Sequence, residues 1–207
     1  HHGGISDAAD FLPFVLRHLP APPARVLEVG CGDEGGLVPE LAARGYDVLG
    51  ADPNAPVGER YVRAGLETLP VEPWDAVVAG RVLHHVEPLD GGVARLASFA
   101  PLILVDEFAP ELIAGAAQAW YDERRVAAGD VRAPASIDEW RSHREHLHPS
   151  GSVLAALRRH YDERELAWVP YLHRWLRSAA IEAEERAAVA AGELPAIGWR
   201  WAGVRRA

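Results

Sequence analysis

The spacing of apolar positions changes repeatedly along the chain, and each change marks an element. Phe11, Leu12, Phe14, Val15, Leu16 and Leu19 recur at helical spacing and stop at Pro20-Ala21-Pro22-Pro23, which predicts a short amphipathic helix. Residues 25–29 form a compact apolar run of strand length. Residues 37–44 return to helical spacing, with Leu37, Val38 and Leu41 on one face and Gly45 as the stop. Strands are predicted at 46–51, 60–64, 74–79 and 102–105, with a helix over 89–99 between the last two. Continuous apolar strands alternating with helices indicate a parallel sheet covered on both faces.

Beyond residue 110 helical patterns dominate, over 111–128, 137–146, 153–161 and 175–191. A strand is expected at 164–169. A last one at 197–205 alternates Trp199 and Trp201 against Arg200 and Ala202. The expected fold class is α/β, a Rossmann-like, doubly wound, mostly parallel seven-stranded sheet with an antiparallel last strand. Residues 5–207 are read as one domain, with 110–160 as a helical cap inserted after the fifth strand. His1-His2-Gly3-Gly4 reads as the remnant of a purification tag.

Composition narrows the partners. The 207 residues are 49% hydrophobic and 25% charged, as in ordinary soluble proteins, and no apolar run reaches membrane-spanning length. A net charge of -9 disfavours nucleic acid held by general electrostatics, so a small molecule is the expected partner. The single cysteine, Cys31, excludes an internal disulfide and fits a cytoplasmic protein. A catalytic thiol is conceivable there, but a small residue in a tight turn is the plainer reading. All 21 basic residues are arginine, a bias typical of GC-rich bacterial coding sequence.

The candidate chemistry begins at Val26-Leu27-Glu28-Val29, which runs into Gly30, Gly32, Gly35 and Gly36. Glycines after a first strand let the backbone turn sharply and approach a ligand at a helix N-terminus. Gly30-x-Gly32-x-x-Gly35 formally matches the dinucleotide fingerprint, and Asp52 ends the second strand where it can grip a ribose diol. A nicotinamide-dependent oxidoreductase, another nucleoside-binding protein and a bare glycine-rich turn all satisfy these features.

Three stretches and their implied order separate these readings. VLEVGCG (26–32), AARGYDVLGADP (42–53), WDAVVAGRVLHHV (74–86) and the sheet order they imply resemble the class I S-adenosylmethionine-dependent methyltransferases. Glu28, two residues before the first glycine, fits that family, whereas the dinucleotide fold usually keeps an apolar residue there. LHHV has no place in the dinucleotide fingerprint. Residues 110–207 also resemble the tail of a group of actinobacterial methyltransferase-domain proteins. The resemblance implies S-adenosylmethionine as cofactor, with Glu28, Gly30, Cys31 and Gly32 lining its methionine and ribose end. Asp52 would accept from the ribose hydroxyls, with Pro53 beside the adenine. Leu66 and Glu67 fall in the adenine-edge loop, and Gly80 and Arg81 would offer backbone groups near the ammonium and sulfonium. The family's third glycine usually comes two residues after the second. Here that position is Glu34 and glycine follows at 35, so the loop carries an extra residue at Asp33-Glu34, which either bulges outward or folds inward.

Transfer of a methyl group to oxygen or nitrogen requires the acceptor to lose a proton, which suits a histidine. His84 and His85 follow the fourth strand at its C-terminal end, where open α/β sheets place ligands. Asp106 and Glu107 end the fifth strand on the same rim. We therefore take His84, His85 and Glu107 as catalytic candidates; packing residues, helix caps or a solvated acid are the plain alternatives. His143, His146 and His148 invite a metal reading, but no matching carboxylate motif accompanies them, so no metal is expected. The expected activity is methyl transfer to an oxygen or nitrogen of a small molecule, as in bacterial secondary metabolism. A cofactor-binding protein with other chemistry, a nicotinamide-dependent oxidoreductase and a macromolecular methyltransferase remain alternatives.

Overall fold

A computed structural model describes residues 5–128, 147–176 and 178–206. Seven strands form one sheet: β1 (Arg25–Val29), β2 (Asp47–Ala51), β3 (Tyr61–Val62), β4 (Ala76–Gly80), β5 (Leu102–Phe108), β6 (Tyr161–Val169) and β7 (Gly198–Arg205). Their order is β3-β2-β1-β4-β5-β7-β6. The first five are parallel, and β7 runs antiparallel to both β5 and β6. The order reverses direction between β1 and β4, which opens a crevice beyond their C-terminal ends.

The helices among the described residues are α1 (Ile5–His18), α2 (Val38–Ala43), α3 (Leu89–Phe99), α4 (Ala116–Ala128), α5 (Ser150–His160), α6 (His173–Leu176) and α7 (Ala179–Ala190). Alternate strand residues serve opposite faces of the sheet. Val26, Val48, Val78 and Leu104 pack with Phe11, Phe14 and Val15 of α1 and Val38 and Leu41 of α2. Leu27, Val77, Ala79, Ile103 and Val105 pack with Val93 and Leu96 of α3 and Val153 and Leu157 of α5. Each fully buried aliphatic side chain of this kind stabilises the fold by about 1.5–3 kcal/mol. A third apolar cluster joins Phe108, Ile113, Ala117, Tyr121, Tyr171, Leu172 and Ile197 beyond the end of β5. No helix among the described residues is long and apolar enough to cross a membrane.

β1 and α3 keep the expected limits. β5 does not stop at residue 105 but continues to Phe108, because β7 pairs with it from Leu102↔Val204 to Phe108↔Gly198. Asp106 and Glu107 therefore lie inside a strand, 3% and 1% exposed, rather than in a solvated loop. The helix expected over 111–128 is broken into a 3-10 turn at Pro110–Leu112 and α4, with Gly115 at φ +53° between them. The helix expected from residue 175 is likewise two, and Ser178 caps the second by accepting from Ile181 N–H. The helix expected over 137–146 lies outside the described residues.

Candidate active site

The glycine loop is held from beneath. Gly30, Gly32, Gly35 and Gly36 all have positive φ, between +56° and +87°. Glu28, 5% exposed, turns its carboxylate to the Leu37 N–H, with both oxygens within 3.0 Å. It thereby ties the far end of the loop to β1. A side chain on Gly36 would collide with this carboxylate, and one on Gly35 with the Tyr61 hydroxyl. A Cβ on Gly30 would press on Val82 and on the Gly80 carbonyl at 3.0 and 3.2 Å. These three close approaches are to protein atoms. At Gly32 and Gly80, by contrast, an added Cβ would meet nothing within 4 Å, so the backbone there borders open space. Asp33 and Glu34 are exposed, so the extra residue carries both carboxylates outward to solvent.

Burial pushes the Glu28 carboxyl up to about 7, against the pull of the Leu37 and Val38 N–H groups and the Arg81 charge. Burial, with Glu28 and Asp52 nearby, likewise raises the Cys31 thiol to about 12. A buried thiol of that acidity is a packing group rather than a nucleophile.

Asp52 leaves the end of β2 half-exposed. Its Oδ1 accepts the Asn54 N–H at 2.7 Å, an Asx turn that fixes the side chain, and its Oδ2 has no partner among the described residues. Pro53 is exposed beside it. The Leu66 side chain joins the α3-side core and its carbonyl accepts from Arg95 Nε at 2.7 Å, so this residue is occupied with packing. Glu67 is exposed and folds back over Gly65. Arg81 takes φ +53°, a strained value for a non-glycine residue, while its N–H donates to the Asp106 carbonyl at 2.7 Å.

The rim of β4 and β5 carries the acid–base group. A 3-10 turn, Leu83–His85, follows β4. Glu107 reaches across from β5 and accepts the Leu83 N–H at 2.7 Å and the His84 N–H at 3.3 Å through Oε1. Its Oε2 lies 2.8 Å from His84 Nδ1. Since a carboxylate accepts, Nδ1 carries the hydrogen, and in the neutral ring this leaves the lone pair on Nε2. Nε2 has no hydrogen-bond partner among the described residues. His84 is 4% exposed, whereas His85 is exposed and lies with its ring centre 4.0 Å from that of His84.

Asp106 points to the other face of the sheet, into an ion network no local pattern announced. Its carboxylate accepts from Arg174 Nη1 at 2.6 Å and Arg200 Nε at 3.2 Å, and Asp10 of α1 accepts from Nη2 of both arginines. Burial lowers the Arg174 guanidinium, but the adjacent Asp106 holds it well above the ordinary arginine value. Asp10 lies below its ordinary value: burial raises it, and Arg200 and Arg174 more than compensate. These partners come from α1, β5, α6 and β7 and lie 68 to 190 residues apart in sequence, which is why sequence reasoning missed them.

A second buried pair was missed for the same reason. Glu185 of α7 accepts the N–H groups of Tyr171, Leu172 and His173, and its Oε2 lies 2.7 Å from His173 Nδ1. No group of histidines, cysteines and carboxylates among the described residues is arranged to hold a metal ion. His143 and His146 lie outside the described residues.

A family profile described as "Methyltransferase domain" matches residues 2–170. No functionally curated protein matches the sequence. Among solved structures, an S-adenosylmethionine-dependent methyltransferase from Mesorhizobium loti is similar at 20% identity and a TM-score of 0.63, covering 97% of this chain and 99% of its own. A second, described as a putative enzyme of the same kind from Listeria monocytogenes, is similar at 15% identity and TM-score 0.64, with 97% and 98% covered. The N-methyltransferase NodS from Bradyrhizobium japonicum, solved with S-adenosyl-L-homocysteine, is similar at 12% identity and TM-score 0.58, with 98% and 87% covered. The profile spans most of the chain, the sheet order is that of the class I fold, and the nicotinamide reading gives way; the chain belongs to the methyltransferase-domain family of S-adenosylmethionine-dependent enzymes.

Proposed function

We propose that this protein transfers a methyl group from S-adenosylmethionine to an oxygen or nitrogen of a small molecule, with His84 taking the acceptor's proton. The observation that carries this reading is the His84–Glu107 pair at the β4–β5 rim. Glu107 fixes the imidazole through Nδ1 and leaves Nε2 as the basic atom. The cofactor, when bound, supplies an electrophilic methyl carbon on a sulfonium; the remaining work is positioning and proton transfer. Asp52 offers its unused Oδ2 to the ribose hydroxyls. Gly32 and Gly80 present open backbone, room that a side chain would fill and where the ammonium end of the cofactor fits. Glu28 acts one step back, by holding the loop's return to α2. The outward course of Asp33 and Glu34 keeps their charges off the cradle. We assign acceptor selection to the insertion spanning 110–160, which starts at the rim itself.

Titration calorimetry with S-adenosylhomocysteine and with NAD tests the cofactor reading. We expect micromolar binding of the first and none of the second; the reverse would overturn it. Asp52→Ala should weaken S-adenosylhomocysteine at least tenfold, about 1.4 kcal/mol. Unchanged affinity would remove Asp52 from the ribose site.

A further inference from the structure

We infer that His148 is a positioning residue for the turn that carries His84 and His85, coupling the start of α5 to the geometry of the base. The inference rests on the reading of His84 as that base. A three-residue 3-10 turn barely supports itself: its own bonds here are His85 N–H to the Val82 carbonyl at 3.1 Å and Val86 N–H to the Leu83 carbonyl at 3.2 Å. External partners must set its place. Glu107 takes the N–H groups at its start. His148 takes two carbonyls. Its main-chain N–H donates to the His84 carbonyl at 3.0 Å, and its Nε2 lies 2.9 Å from the Val86 carbonyl. A carbonyl only accepts, so Nε2 carries the hydrogen; Glu87 Oε1 lies 3.2 Å from the same nitrogen. One residue thus brackets His85 from both sides. Val86 is further seated against α3, where any side chain at Gly92 would collide with it.

His148 is itself anchored. Pro149 and Ser150 follow it into α5, and the carboxylate of Glu111, in the turn after β5, accepts the Ser150 N–H at 3.1 Å and also bonds its hydroxyl. The end of β4, the end of β5 and the start of α5 are one hydrogen-bonded assembly around His84. A shift of His148 moves the turn, and with it Nε2. A displacement of about 1 Å at a reacting group can lower a rate about 100-fold. The HREHLH stretch, whose histidines invite a metal reading in the sequence, contributes at His148 a clamp whose Nε2 is already committed to a carbonyl.

The test uses the full chain labelled with 15N, comparing wild type, His148→Ala and His148→Gln. In wild type, His84 should show a protected Nδ1–H signal. His148→Ala should raise amide exchange at His85 and Val86 at least tenfold and broaden or abolish that signal, with exchange in β1 and β5 unchanged. Glutamine, which retains a side-chain N–H donor, should restore both readouts. An unaltered His84 signal and unaltered exchange at residues 83–86 in His148→Ala would overturn the proposal. So would a rise in exchange spread evenly over the whole chain that glutamine fails to reverse, since that marks a merely structural residue. Titrating the same wild-type sample with S-adenosylhomocysteine keeps the two ideas apart: absent binding refutes the cofactor reading and leaves the positioning result standing.

Discussion

The His84–Glu107 and His173–Glu185 pairs are built alike and sit in different places. Each carboxylate is at most 1% exposed, each lies 2.7–2.8 Å from an imidazole Nδ1, and each accepts consecutive main-chain N–H groups. In the first pair the histidine follows a central parallel strand, and its carboxylate comes from the next strand of the sheet, at the rim beside Gly80. In the second, Glu185 of α7 gathers the chain entering α6 and docks it. A histidine held by a carboxylate is therefore not in itself a base. The same bonds close a helix junction as readily as they orient a proton acceptor, and the position on the sheet separates the two uses.

Three measurements sharpen or break this contrast. The largest effect is expected at the first pair. With an acceptor in hand, His84→Ala should slow methyl transfer about 10²–10⁴-fold, the usual range for a general base, while His173→Ala stays within about threefold at a temperature where both are folded. Equal losses would end the distinction. Next, Glu185→Ala leaves three buried N–H groups and an imidazole without an acceptor. It should destabilise the fold by about 3–5 kcal/mol, a fall in Tm on the order of 10 °C, visible in thermal unfolding. A Tm within about 2 °C of wild type would show that the junction does not depend on it.

The third concerns Glu28, a buried carboxylate with no histidine. Burial raises it from the ordinary 4.5 to about 7, so the folded state holds a proton the unfolded state has released. Its contribution is present below about pH 4.5 and is lost as pH rises through 7, a decline of about 3 kcal/mol. Glu185 has the opposite sign. Burial raises it, but His173 and the N–H groups bring it below the ordinary value, so its contribution is lost as pH falls through that lowered range. Urea unfolding at pH 5 and pH 8 should show wild type more stable at the lower pH and Glu28→Gln nearly flat. An equal slope in the variant would remove Glu28 as its source.

Much of the fold was legible because it is local. β1 and α3 carry their own periodicity and stop signals, and the glycine loop and Asp52 stand at set distances along the chain. The site was legible in part. His84 and Glu107 could be placed on one rim, but their bond could not, because nothing in either segment states that β5 runs on to Phe108. Leu66 illustrates the limit at the adenine end: motif position puts the residue in the adenine-edge loop, but does not state that its side chain joins the core.

What the sequence by itself determined is the alternation of buried strands and covering helices, the turn chemistry at residues 30–36 and the acid at the end of β2. These follow from side-chain periodicity and backbone freedom, which act over a few residues. Only the tertiary structure decided which carboxylate holds which histidine, that Asp10, Asp106, Arg174 and Arg200 share one network, and that the loop's extra residue faces solvent. Buried polar groups must find partners wherever the folded chain brings them, and here those partners lie up to 190 residues apart.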